Sequence, residues 1–184
     1  EDGKKMSKHL KNYPDPEKLL ERYGADAMRI YMSTSPVMQA ENLLFSEKGV
    51  DEMYKKVNLL TSNIVSFWQL YATDVANPSP EIVPKSSHPL DLWIRVRTLQ
   101  TIDAMGQGLE VYTIAPAAQL AVDYIQDLST WYVRRSRDRM KSDDVKDKTH
   151  AVQTLGWSLR MLATMLAPFT PMRAESIYQS LHGS

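Results

Sequence analysis

The stretch SEKGVDEMYKKVNLLTSNIVSFWQLYATDV, Ser46 to Val75, decides the fold class. Within it Val50, Met53, Val57, Leu60, Ile64, Phe67, Tyr71 and Val75 recur in alternating steps of three and four, the period of one face of an α-helix. Ser46 is the expected N-cap, because its hydroxyl can accept from an otherwise unpaired amide of the first turn. The helix runs into residues 77–89, whose four prolines forbid its continuation and favour an extended connector. Further on, Leu92, Val96, Leu99, Ile102, Met105 and Leu109 predict a second apolar helix face, weakened at Gly106 and Gly108. A third helix is expected near Pro116, a residue suited to a first turn, with Ala117, Leu120, Tyr124, Leu128 and Tyr132 on one face. After the polar stretch 141–148, Val152, Leu155, Leu159, Leu162 and Leu166 predict a fourth helix, ended by Pro168. Thr170-Pro171 opens a short last one through Ile177 and Leu181.

From Ser46 onward the pattern is therefore all-α, an antiparallel bundle of about five helices. Residues 1–45 read differently. A short helix begins at Asp15-Pro16 and stops at Gly24, another begins at Asp26, and Val37 to Phe45 carries a hint of strand alternation. The domain boundary is placed near residue 46, giving segments 1–45 and 46–184.

Composition limits the functions open to such a bundle. The chain of 184 residues is long enough to bury a real core, and its 22 basic side chains balance 22 acidic ones. That balance excludes a uniformly basic nucleic-acid coat but leaves room for a local basic patch. The lack of cysteine excludes disulfides, cysteine-bound zinc and a thiol nucleophile. Four scattered histidines offer no helical ligand pair, so no metal site is expected. No apolar run reaches the roughly 18–20 residues of a membrane span. The first methionine is Met6, and no signal peptide is legible, so the expectation is a piece of a longer cytoplasmic chain.

Two basic clusters stand out. Gly3-Lys4-Lys5-Met6-Ser7-Lys8 combines a mobile glycine with lysines able to converge on a polyanion. It is not a phosphate-binding P-loop, which needs a second glycine directly before Lys-Ser or Lys-Thr; a solvated basic tail is the plain alternative. The second cluster places Arg134, Arg135, Arg137, Arg139 and Lys141 against the single acid Asp138. On a helix Arg134, Arg137 and Lys141 share a face, with Arg135 and Arg139 beside it. Guanidinium groups suit phosphates and unpaired base edges, and Trp131 and Tyr132 could add stacking surface. The competing reading is a helix end whose cations complement the dipole and pair with Asp127, Asp138 or Glu110. A split is expected, with some arginines bound to carboxylates and others facing outward. Trp131, Trp68, Trp93 and Trp157 are all expected in the core, since each lies on or beside an apolar face, and the methionines are expected as gap-fillers.

Lys5-Met6-Ser7-Lys8, followed by Asn12-Tyr13-Pro14-Asp15-Pro16 and Tyr23-Gly24-Ala25-Asp26-Ala27, resembles the signature loop of class I aminoacyl-tRNA synthetases. His9 and Lys11 depart from the commoner form of that loop. Ala40-Glu41-Asn42-Leu43, Phe45-Ser46-Glu47-Lys48-Gly49-Val50, Trp131-Tyr132-Val133-Arg134-Arg135-Ser136-Arg137 and Ala167-Pro168-Phe169-Thr170-Pro171 are similar to the isoleucyl branch, with the valyl branch as the nearest alternative. The resemblance implies that Lys5, Met6, Ser7 and Lys8 close over ATP and its magnesium. Lys5 and Lys8 would then stabilise the negative charge that builds on pyrophosphate. It also implies that 1–45 ends a catalytic domain and that 46–184 binds the anticodon region of the tRNA for isoleucine through Arg134, Arg135, Arg137, Arg139 and Trp131. The partners implied are that tRNA and the rest of the catalytic domain, with no membrane. The separate segment is expected to be monomeric, inactive and free of bound cofactor. Two other readings remain open from the residues: a helical scaffold whose basic patch holds protein carboxylates, and a standalone tRNA-binding factor.

Overall fold

The computed structural model describes residues 13–75 and 78–182. The lysine-rich cluster Lys5 to Lys8 lies outside the described residues. Within them the chain is helical throughout, with no strand.

Helix α1 (Pro16–Ser33) starts where its sequence says it should. Asp15 is extended and accepts the amide of Glu17 at 3.1 Å, and Pro16 opens the first turn. At Gly24 the backbone turns to φ 78°, ψ 162°, breaking α1 into two halves. Only glycine occupies that region freely, so the expected stop at Gly24 and restart near Asp26 are both realised. The hint of strand after it is not. Pro36–Gln39 forms a 3-10 turn closed by Ala40 at φ 58°, and irregular chain follows. The fixed φ of Pro36 starts a turn there instead of an extended run.

Five helical rods follow. The first joins α2 (Glu47–Met53) and α3 (Leu60–Ala72) through a π-helical turn, Tyr54–Leu59, and Ser46 caps it by accepting the Gly49 amide at 3.4 Å. The second is α4 (Pro89–Glu110). The third joins α5 (Ile114–Gln126) and α6 (Arg134–Lys141) through another π-helical turn, Asp127–Val133. The fourth is α7 (Val145–Leu166), which starts inside the polar stretch because Asp144 accepts the amides of Lys146 and Asp147. The fifth is α8 (Pro171–His182).

The main core draws Ile64 and Trp68 from α3, Ile94 from α4, Tyr124 and Ile125 from α5, and the predicted face of α7. Helices α3 and α7 touch at Gly156, where the Trp68 indole crosses α7 and donates to the Val152 carbonyl at 3.1 Å. A second, smaller core of Leu19, Tyr23, Ala27 and Val50 joins α1 to α2. It straddles residue 46.

Helix α4 departs from the predicted face in its first half only, since Ile102, Met105 and Leu109 face the core as expected. Leu92, Val96 and Leu99 are exposed, and Asp91, Ile94, Thr98, Thr101 and Met105 are buried. The buried polar groups have partners, which is what permits their burial. Thr98 donates to the Ile94 carbonyl and meets the Tyr124 hydroxyl, both at 2.7 Å, and Thr101 donates to the Arg97 carbonyl at 2.8 Å.

Candidate nucleic-acid interface

Helix α6 sends its arginines in three directions. Arg139 points inward, with only 11% of its side chain exposed. Its two terminal nitrogens each donate to one oxygen of Asp91 at 2.8 Å, a bidentate pair, while Nε and Nη2 also reach Asp147. The Asp91 carboxylate is fully buried and accepts further bonds from Tyr132, at 2.7 Å, and from Ser86. Burial alone would raise the Asp91 pKa, but hydrogen bonds from Arg139, Ser86 and Tyr132 outweigh it and hold the carboxyl below its ordinary value. Asp147 is lowered by its Arg139 hydrogen bonds. Burial and then the adjacent Asp91 charge push the Tyr132 hydroxyl well up. This cluster ties together α4, the π-turn, α6 and the start of α7.

Arg134, Arg135 and Arg137 are exposed and make no ion pair among the described residues. The Arg135 guanidinium carbon sits over the Trp131 ring, 3.8 Å from its centroid. Trp131 in turn tilts against Trp93 of α4 at 6.2 Å. Arg137 leans the other way, 5.8 Å from the Phe67 ring of α3, which packs edge-on against Tyr71. Two cationic groups therefore rest on aromatic pairs on opposite sides of α6, with Arg134 free between them. A guanidinium stacked on an indole still offers its outer face and N–H edge to a phosphate or an unpaired base.

Three expectations need correcting. Trp131 is 44% exposed, not core, because the π-helical turn carrying it buries Leu128, Tyr132 and Val133 and leaves it outside. Trp68 and Trp157 are buried as expected, and Trp93 is half-buried. Arg139 is a scaffold residue, since its guanidinium is consumed by two carboxylates. Those carboxylates are Asp91 and Asp147, not Asp127, Asp138 or Glu110; Asp127 instead binds Arg97 at 2.7 Å. Asp91 was missed because an acid in a first helical turn reads as a dipole partner. Its spacing with Ile94, Thr98, Thr101 and Met105 was the signal available. Among the described residues no cluster of His, Asp or Glu side chains could hold a metal ion, and no helix is long and apolar enough to cross a membrane.

The helical bundle falls in a known class. Residues 91–184 match the family described as anticodon-binding domain of tRNA ligase, and residues 1–44 match tRNA synthetases class I (I, L, M and V). The chain belongs to the anticodon-binding domain family of tRNA ligases, joined to a class I synthetase segment. Its relatives narrow this to one branch. The isoleucine–tRNA ligase of Chlamydia muridarum (strain MoPn / Nigg) is 39% identical over 182 residues, covering 98% of this chain and 18% of that protein. The isoleucine–tRNA ligase of Chlamydia pneumoniae is 37% identical over 183 residues, with the same coverage. The chain thus spans about a fifth of the length of the curated relatives it matches. The fold is shared with a leucyl-tRNA synthetase of Agrobacterium radiobacter K84, solved as a ternary complex with tRNA and LeuAMS, at TM-score 0.68 and 22% identity. That match covers 99% of this chain and 21% of the other. It is shared too with the methionyl-tRNA synthetase of Mycobacterium tuberculosis in complex with methionyl-adenylate, at TM-score 0.68 and 16% identity. Here 95% of this chain and 35% of the other are covered.

Proposed function

We propose that this chain is the segment of a cytoplasmic isoleucine–tRNA ligase that links the ATP-closing loop to the anticodon-binding bundle. The similarity to isoleucine–tRNA ligases along nearly its whole length carries this reading. Residues 1–45 end the catalytic domain, and 46–184 form the bundle. In the whole enzyme ATP, with magnesium, activates isoleucine as an adenylate. Lys5, Met6, Ser7 and Lys8 hold the phosphates, with Lys5 and Lys8 as the charge-stabilising pair. The bundle holds the tRNA for isoleucine through Arg134, Arg135 and Arg137, with Trp131 as a stacking surface beside Arg135. Arg139 serves by fixing α6 in place. Alone, the segment is a monomer that binds tRNA weakly and forms no adenylate.

Binding to the tRNA should weaken as salt rises, through release of phosphate counterions. Arg134→Gln, Arg135→Gln and Arg137→Gln should each lower affinity while the melting temperature stays within about a degree, as expected of surface changes. Full affinity in all three variants would remove this face from tRNA recognition. Pyrophosphate exchange above a blank by the isolated segment would refute the assignment of catalysis to the rest of the enzyme.

A further inference from the structure

The small α1–α2 core forms a lobe attached to the bundle at three places. One is apolar: Ile30, on the second half of α1, is fully buried in the main core, and α1 packs beside α5. A second is the continuous rod through the π-helical turn Tyr54–Leu59. The third is a set of polar contacts between α1 and the elbow joining α7 to α8, 139 to 147 residues away in sequence.

At this elbow the chemistry is complementary. Asp26 and Arg29 stand three residues apart on one face of α1. Asp26 is 4% exposed, and its Oδ2 accepts the backbone amide of Arg173, in the first turn of α8, at 2.6 Å. It therefore caps a helix to which it is not adjacent in sequence, placing a negative charge at that helix's positive end. Arg29 does the converse at the end of α7. Its Nε donates to the Phe169 carbonyl at 2.9 Å and its Nη2 to the Pro168 carbonyl at 3.1 Å. The Arg173 side chain continues across the gap, donating from Nε to the Thr61 hydroxyl of α3 at 2.6 Å. The second oxygen of Asp26 is buried and has no hydrogen-bond partner. A carboxylate retained at that cost, on the seam between two cores, is held for where it puts the lobe.

We propose that Asp26 and Arg29 are positioning residues that latch the α1–α2 lobe to the α7–α8 elbow. They set one angle between the segment leading back to Lys5–Lys8 and the bundle face bearing Arg134, Arg135 and Arg137. The latch follows from the contacts above. Its use, keeping a tRNA held on the bundle in register with the catalytic end, rests on the function proposed here.

The chain contains no cysteine, so two introduced ones are its only labelling sites. Leu20→Cys on the first half of α1 and Tyr178→Cys on α8 are both exposed positions. With spin labels there, the parent chain should give one narrow distance distribution. Asp26→Ala and Arg29→Gln should each broaden or shift it while helical circular dichroism is retained, and Asp26→Asn, which keeps an acceptor for the Arg173 amide, should restore it. An unchanged distribution in both variants would overturn the latch. So would broadening that appears only together with loss of helix in both, which would make these residues ordinary stabilisers.

In the full-length enzyme, Asp26→Ala should lower tRNA charging relative to pyrophosphate exchange by roughly ten- to a hundredfold, the upper figure being that expected for a displacement of about 1 Å. Equal loss of both reactions would overturn the positioning role. A full-length protein that charges no tRNA for isoleucine would refute the proposed function and leave the distance measurement standing.

Discussion

Arg139→Gln removes a guanidinium from the one fully buried carboxylate of the α4–α6–α7 junction. Asp91 keeps the hydroxyls of Ser86 and Tyr132 but loses both charged donors, whereas Asp147, partly exposed, is rehydrated. Removing one member of a buried pair costs about 3–5 kcal/mol, because it strands the other charge. With two donors remaining and one partner resolvated, the loss belongs at the lower end, about 3 kcal/mol. For a chain of this size roughly 2–4 °C is lost per kcal/mol, so the melting temperature should fall by about 6–12 °C. Scanning calorimetry and urea unfolding followed by circular dichroism measure it, with Arg134→Gln as the exposed comparison, expected within about 0.5 kcal/mol of the parent. The pH dependence supplies a second check. The folded pKa values of Asp91 and Asp147 are depressed, so their contribution is fully present above the unfolded carboxylate value of about 3.9 and is lost as pH falls through the folded values. The gap between parent and variant should be widest near neutral pH, narrow as falling pH protonates the stranded Asp91 of the variant, and close below about pH 4. A melting temperature unchanged by Arg139→Gln, or a gap that widens in acid, would refute the reasoning.

Gly24→Ala should cost about 1–3 kcal/mol although its methyl group would touch nothing within 4 Å, since the whole penalty is the backbone conformation; urea midpoints would show it, and an unaffected midpoint would mean the kink relaxes. Gly156→Ala sets two effects against each other. Helix propensity gains about 1 kcal/mol, but the new Cβ would lie 2.7 Å from the buried Trp68 Nε1. Overpacking of about 1–3 kcal/mol should win, giving a net loss near 1 kcal/mol and a shifted tryptophan emission.

The rods were legible where aliphatic residues alone pay no polar penalty for burial. Ser46 with Val50 to Phe67, and the leucines of α7, needed only periodicity and a cap. Asp15-Pro16 and Gly24 were legible for a local reason, since a side-chain acceptor, a fixed φ and a permissive φ act within one or two residues. The first half of the α4 face was not, although Ile102, Met105 and Leu109 lie where periodicity put them. Leu92, Val96 and Leu99 form the better apolar stripe, and the true buried face depends on Tyr124 and on Arg139, which reach Thr98 and Asp91 across 26 and 48 residues. The same distance hid the division among the arginines. In sequence Arg137 and Arg139 are equivalent charges; the carboxylates folded beneath one of them make it structural. Trp131 was misjudged because an α-helical count cannot anticipate a π-helical turn.

The two π-helical turns also mark where the rods have slack. Such a turn closes its hydrogen bonds one residue further along than an α-turn, so it stores one residue that the flanking helices do not use. Losing a residue from Asp127–Val133 lets the bonding fall back to the α pattern with α5 and α6 still correctly aimed. The same loss inside Arg134–Lys141 rotates everything beyond it by about 100° and swings Arg139 away from Asp91. A deletion of one residue is therefore absorbed at Tyr54–Leu59 and Asp127–Val133, and refused a turn later.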